Sequence, residues 1–221
     1  MNEKEFIEKF LSLEGPVETN PLRLSTLSFG LRGARKLAGR DIKTGAYLKS
    51  EFNDENFQNG TYFAFEFTGL INYLVLLEQI GSIFRPKDQN IYTSKNGITC
   101  ALTYFSNLQG HEIHAIKSLR NSLTHKFGLA TEKQPTDKIP RKFTISREES
   151  LSNKVVELPV TNWTGDFLDK SQDTSTTIYL LNLIDLIEGI YKRVVLEQKS
   201  DNLELALNGG IEELKVRYTI L

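Results

Sequence analysis

A single cysteine, Cys100, stands in the 221 residues. That leaves no partner for an internal disulfide and excludes a cysteine-rich zinc site. An excess of charge of one sign is missing too. Lys and Arg number 27 against 28 Asp and Glu, a formal net charge of −1. This argues against a generic polyanion binder while leaving room for local basic patches. A long uninterrupted apolar run is missing as well: the most apolar stretch, Tyr62 to Phe84, contains Glu66, Asn72 and Glu78, so neither a membrane span nor a membrane partner is expected. Met1 is followed by Asn2-Glu3-Lys4-Glu5, which lacks the basic and apolar regions of a secretory signal, and the expected setting is cytoplasmic. Internal repeats and low-complexity segments are absent. Gly30, Gly33 and Gly39 lack the Lys-Ser/Thr ending and the preceding strand of a phosphate loop, and no cofactor is expected.

The composition, 39% hydrophobic and 25% charged, is that of a soluble globular chain. The pattern predicts a mainly α fold. Helices are expected from Glu3 to Leu13, about Pro21 to Leu37, Thr61 to Phe84, Gly97 to Leu108 and Gly110 to Phe127, the last with Gly128 as C-terminal cap. A turn-rich run ends in Asn53-Asp54-Glu55-Asn56 and Asn59-Gly60. Lys142 to Ser146 and Lys154 to Leu158 alternate polar and β-branched residues and read as a β-hairpin inserted before the last long helix. That helix starts at Thr174 or Ser175, with apolar residues at Ile178, Leu181, Ile184, Ile187, Ile190 and Val194. The tail from Ile211 is ambiguous; Val216, Tyr218 and Ile220 alternate like a strand. Residues 1–60 read as a helical cap, and 61–221 as a helical bundle with an insertion at about 140–160.

All three histidines, His111, His114 and His125, fall in the fifteen residues HEIHAIKSLRNSLTH. Histidine titrates nearest neutral pH and is the usual acid–base candidate. Arg120-Asn121 with His125 five positions after the arginine sets a phosphate binder beside a proton carrier. At roughly 100° per residue, Ser118, Asn121 and His125 fall within about 40° of His114, a polar stripe. Ile116, Leu119, Leu123 and Phe127 form the expected core face. Arg120 lies about 140° from His125, so the two need a neighbouring element, or a second copy of the helix across a two-fold axis, to share one phosphate.

Arg-Asn-x-x-x-His near the end of a helix in a helical chain resembles the HEPN superfamily. Its signature is Arg, usually Asn, His or Asp next, and a His after four to six intervening residues. The resemblance covers roughly Thr61 to Phe127 and the helix from about Thr174 to Gln198. It implies a helical bundle that dimerises through the motif helix, with Arg120, Asn121 and His125 catalytic. The activity implied is a metal-independent endoribonuclease, a hydrolase of toxin–antitoxin, phage-defence or RNA-processing systems, with an antitoxin-like protein as a further partner. His125 would take the 2′-OH proton, Arg120 would stabilise the charged phosphate, and Asn121 would orient His125 or contact the phosphate. His114, Lys117 and Lys126 are the accompanying substrate-binding candidates. Lys126-Phe127 stand where small residues often follow the family's histidine.

Other readings compete. The basic last turn complements a helix dipole without any catalysis, and the alternative function is a non-catalytic dimerisation or interaction module that binds RNA or a protein. His111-Glu112-Ile113-His114 has a spacing of three, where zinc proteases need four, so its polar residues are read as a helix start and no metal site is expected. Arg32, Arg35, Lys36, Arg40 and Lys43 read as a solvated face and loop, with an RNA-backbone track as the sharper option. Lys138, Arg141, Lys142 and Arg147 read as charges protecting an exposed sheet edge, with an RNA guide or antitoxin dock as the sharper option. Phe63, Phe65 and Phe67 read as core.

Overall fold

A computed structural model describes residues 1–48, 61–88, 96–132, 139–148 and 153–221. The turn-rich run at 53–60 and Lys138 lie outside the described residues. The chain is mainly α, and it divides into two compact units: Met1–Ser106 with Glu188–Leu221, and Asn107–Ile187.

The first unit holds α1 (Glu3–Leu11), α2 (Thr26–Leu37), α3 (Thr61–Ile83), α4 (Gly97–Phe105) and α7 (Gly210–Tyr218), together with most of α6 (Leu180–Lys199). Short polar residues start the helices. Asn2 Oδ1 accepts the Glu5 N–H at 2.8 Å while Glu5 accepts the Asn2 N–H, closing a capping box on α1. Ser25 and Asn96 accept the N–H groups of Ser28 and Thr99 in the same way at α2 and α4. The helix expected from Pro21 begins only at Thr26, because Leu22–Ser25 form β2. This strand pairs with β1 (Glu18–Thr19) and with β9 (Thr219–Ile220). The tail that alternated like a strand is therefore a helix, α7, with only its end in a sheet. A second small sheet joins β3 (Phe84–Pro86) to β8 (Leu203–Leu205).

Phe6, Phe10, Leu27, Leu70, Leu77, Ile98 and Leu214 are among the buried residues of this unit. Phe65 is not core; it is half exposed, and Phe67 is only partly buried. α3 packs on α2 and α4. At the α3–α4 crossing a Cβ on Gly81 would overlap the Gly97 carbonyl oxygen and the Ala101 nitrogen, and one on Gly97 would overlap the Glu78 carbonyl oxygen. Backbone cannot yield as a side-chain tip can. Gly81→Ala should therefore lower stability by about 3 kcal/mol, the upper end of ordinary overpacking costs. The urea midpoint should fall accordingly.

The second unit carries α5 (Gly110–Lys126), β4 (Ala130–Thr131), β5 (Arg141–Ser146), β6 (Val156–Glu157), β7 (Ser175–Tyr179) and the first turns of α6. Its sheet has the order β4-β5-β7-β6. The two segments expected to form a hairpin are both strands, but they do not pair with each other. β7 lies between them, parallel to β5 from Lys142↔Ser175 to Ser146↔Tyr179 and antiparallel to β6 at Val156↔Ile178. The long helix consequently begins at Leu180 rather than Thr174. Ser175-Thr176-Thr177-Ile178-Tyr179 is rich in β-branched and aromatic residues, the composition that fits a pleated surface. No helix among the described residues is long and apolar enough to cross a membrane.

Candidate functional site

The histidine helix α5 is fixed at both ends. At its start the Gln109 N–H donates to Glu112 Oε2 at 2.8 Å, so the carboxylate between His111 and His114 serves as a helix cap. No group of three or more His, Cys, Asp or Glu that could hold a metal occurs among the described residues. At its end Phe127, not Gly128, takes the left-handed conformation, with φ of +50°. Its N–H donates to the Leu123 carbonyl at 3.1 Å, and the Ser122 hydroxyl reaches the Gly128 and Ala130 carbonyls, each at 2.8 Å. The left-handed region costs a residue with a Cβ roughly 1–2 kcal/mol, and the Phe127 ring, expected in the core, is 68% exposed and offsets little of that. Phe127→Gly should raise stability by about 1 kcal/mol, read as a higher melting temperature.

Ile113, Ala115, Ile116, Ser118, Leu119, Ser122 and Leu123 are buried. Burial of Ser118 removes one edge of the expected polar stripe. What stays accessible is a broader face, about 140° wide, running from about 240° through zero to about 20° on the helical wheel that takes His114 as zero. It carries Lys117, Arg120, Asn121, Thr124, His114 and His125, the first five half-buried and His125 exposed. Arg120 and His125 thus stand on opposite edges of one open face, with Asn121 and Thr124 between them.

The Arg120 side chain closes part of that gap. Its Nη1 donates to Asn121 Oδ1 at 3.0 Å, which draws the guanidinium toward the middle of the face. Asn121 in turn sits one helical turn before His125, on the same side. Asn121 is therefore positioned to orient Arg120, a role the sequence pattern assigned toward His125 or the phosphate. Burial lowers the pKa of Arg120 from its ordinary value, yet a guanidinium remains charged at neutral pH. A cation stripped of part of its water attracts an anion more strongly than a solvated one does. The Thr124 hydroxyl is occupied by the Arg120 carbonyl at 2.8 Å.

The remaining candidates are arranged less closely. Arg141, on β5, places Nη2 3.3 Å from His114 Nδ1. A guanidinium only donates, so Nδ1 is the acceptor and the ring proton belongs on Nε2. Arg141 is 8% exposed, which replaces the expectation that it guards a sheet edge. Lys142 is likewise engaged, its Nζ 3.5 Å from Asp169 Oδ2. Lys126 pairs with Glu132 at 3.4 Å, both more than half exposed, a contact of little energetic weight. Lys117 and His125 make no hydrogen bond or ion pair among the described residues.

The chain matches no family model, no curated protein and no solved structure. The candidate site therefore rests on the α5 geometry itself.

The first unit contains a polar cluster that sequence reasoning placed on the surface. Arg35 is 2% exposed and forms a two-pronged ion pair with Glu188, Nε to Oε1 at 2.8 Å and Nη2 to Oε2 at 2.7 Å. The Tyr73 hydroxyl donates to the same Oε1 at 2.6 Å. Burial alone would raise the Glu188 pKa, but the hydrogen bonds from Arg35 and Tyr73 and the charge of Arg35 outweigh it and hold the carboxyl below its ordinary value. Arg40, also read as solvated, is 5% exposed and donates to the Gly45 carbonyl at 3.0 Å. The signal was present in the periodicity. Arg35 lies one turn after Leu31, and Glu188 one turn after Ile184, both on apolar stripes. A charge embedded at the core spacing on each of two helices marks a buried pair.

Proposed function

We propose that this chain is a HEPN-like, metal-independent endoribonuclease whose reacting groups lie on the open face of α5 and whose groove is completed by a second copy of that face. The observation that supports it most is the Arg120–Asn121 hydrogen bond, which turns the guanidinium toward the side of the helix that carries His125. His125 removes the proton from a ribose 2′-OH, and the oxygen attacks the adjacent phosphorus. Arg120 donates to the non-bridging oxygens as their charge builds. The bond from phosphorus to the 5′-oxygen breaks, and that oxygen leaves with a proton from an acid, for which the second His125 of a dimer is available. The products are a 2′,3′-cyclic phosphate and a free 5′-OH. DNA has no 2′-OH to attack and survives.

The test is RNA cleavage in excess EDTA, with product ends identified by mass spectrometry. Wild type should yield cyclic phosphates, and His125→Ala should lose about 10²–10⁴-fold in rate, the range for a positioned acid–base group. His125 is exposed, so the variant should melt as wild type does. Absence of cleavage over a broad RNA panel would leave the α5 face as a non-catalytic interface.

A further inference from the structure

The first unit contains a large cleft, about 1220 Å³, that has no part in the α5 site. Among the described residues six cations line it, Arg32, Lys36, Arg40, Lys43, Lys192 and Lys199, against three carboxylates, Glu8, Glu14 and Asp41. In a chain of net charge −1 this is a local concentration of positive charge. Arg32, Lys36, Lys43, Lys192 and Lys199 make no ion pair among the described residues. Between these cations lies an apolar floor of Leu13, Ile42, Leu48, Val195 and Leu196, all partly exposed and Leu196 63% so. An excess of positive charge on concave walls favours an anion that enters, and apolar surface with polar groups placed around it is the usual make-up of a small-molecule site.

The cleft wall is built in place. Beneath it, Arg35 Nη1 donates to the Ile42 and Lys43 carbonyls, each at 2.9 Å, while its other nitrogens are held by Glu188. Asp41 Oδ1 accepts the Thr44 N–H at 2.7 Å, the Thr44 hydroxyl at 2.8 Å and the Lys43 N–H at 3.1 Å, and these bonds, those from Thr44 foremost, lower the Asp41 pKa. Arg40, 5% exposed, braces the same loop through the Gly45 carbonyl. A loop clamped from below by buried charges presents its outer surface without further ordering cost, the condition for tight binding.

We propose that this cleft binds an amphipathic anion, a phosphate-bearing molecule with an apolar body that covers the Leu13–Ile42–Leu196 floor. An alkyl phosphate and a nucleoside phosphate share that chemistry. A single-stranded RNA fits less well. Binding a strand without sequence preference uses aromatic platforms for stacking, and among the described residues the lining offers only Tyr191, which is 7% exposed with its hydroxyl donated to the Leu11 carbonyl.

The test is calorimetric titration of the full chain with dodecyl phosphate below its micelle concentration, ATP, inorganic phosphate and a short RNA. Dodecyl phosphate or ATP should bind at one site per chain, at least about tenfold more tightly than inorganic phosphate, a difference of about 1.4 kcal/mol. Dodecyl phosphate alone identifies a lipid-like source, ATP alone a nucleotide, and binding of both the shared chemistry. Lys36→Glu with Lys192→Glu should weaken either ligand by about tenfold or more. Leu196→Glu should weaken dodecyl phosphate. All three positions are exposed, so melting curves should match wild type. Binding of neither ligand, RNA binding more tightly than both, or affinities unchanged in the charge-reversed variant would each overturn the proposal. Cleavage by the α5 site plays no part in these readouts.

Discussion

Glu188→Ala is expected to lower the free energy of unfolding by about 3–5 kcal/mol, the cost of removing one member of a buried ion pair. The reason is what remains behind. Arg35 is 2% exposed, and without Glu188 its guanidinium is a buried charge with two carbonyls as its remaining described acceptors. The Tyr73 hydroxyl loses its acceptor at the same stroke. Replacing both charges, as in Arg35→Met with Glu188→Met, should cost less than Glu188→Ala alone, because no uncompensated charge is buried. It should not recover wild-type stability, since the Ile42 and Lys43 carbonyls lose their donor. Urea denaturation of the three proteins ranks them directly. A double mutant less stable than Glu188→Ala would remove the charge argument.

The same pair has a pH signature. The folded-state pKa of Glu188 lies below its ordinary value of 4.5. Its contribution is therefore fully present above about pH 4.5 and lost as pH falls through the lower folded-state value. The difference in stability between wild type and Glu188→Gln should be constant from neutral pH down to that point and shrink below it. Taking the difference cancels the titration of every other carboxylate, so a gap that widens in acid would contradict the assigned direction.

How far the sequence carried this reading depends on what kind of signal each element left. The capped helices α1 and α5, and α3 with its long apolar run, stood close to their sequence positions because local rules and packing agree there. β7 was missed because Ile178 continues the apolar period of α6, and periodicity alone does not separate a short strand from the first turn of a helix. The hairpin failed for a related reason. Alternation identifies strands but carries no information about partners, and the partner of both β5 and β6 lies further along the chain. Arg35, Arg40 and Arg141 are buried where solvated positions were expected; the partners of Arg35 and Arg141, Glu188 and His114, are remote in sequence, while Arg40 closes on the nearby Gly45 carbonyl. At the α5 site, the residue types and their order were legible. The swing of Arg120 onto Asn121 was not, since neighbours one apart on a helix point about 100° from each other and only a long, partly buried side chain bridges that angle.

Arg120→Ala is expected to reduce the rate of RNA cleavage by about 10²–10³-fold, the loss measured elsewhere when one donor to a developing oxyanion is removed. The loss should fall on kcat with little change in KM, because the donor matters most when charge has built on the phosphate, and substrate is held mainly by other contacts. Arg120→Lys separates charge from geometry. Lysine keeps the positive charge, but its ammonium is a point donor, without the planar fork that lets a guanidinium hold Asn121 through one nitrogen and offer others to a phosphate. It should recover only a small part of the lost rate. Asn121→Ala removes the tether and leaves the cation, so it should slow cleavage less than Arg120→Ala. Adding it to Arg120→Ala should cost little more, the non-additivity expected when one residue acts through the other. If the two losses multiplied instead, Asn121 would be contacting substrate independently, and the orientation of Arg120 by Asn121 would no longer explain the site. If Arg120→Lys cleaved as wild type does, positive charge alone would suffice, and the fork geometry that draws Arg120 toward His125 would carry no catalytic weight.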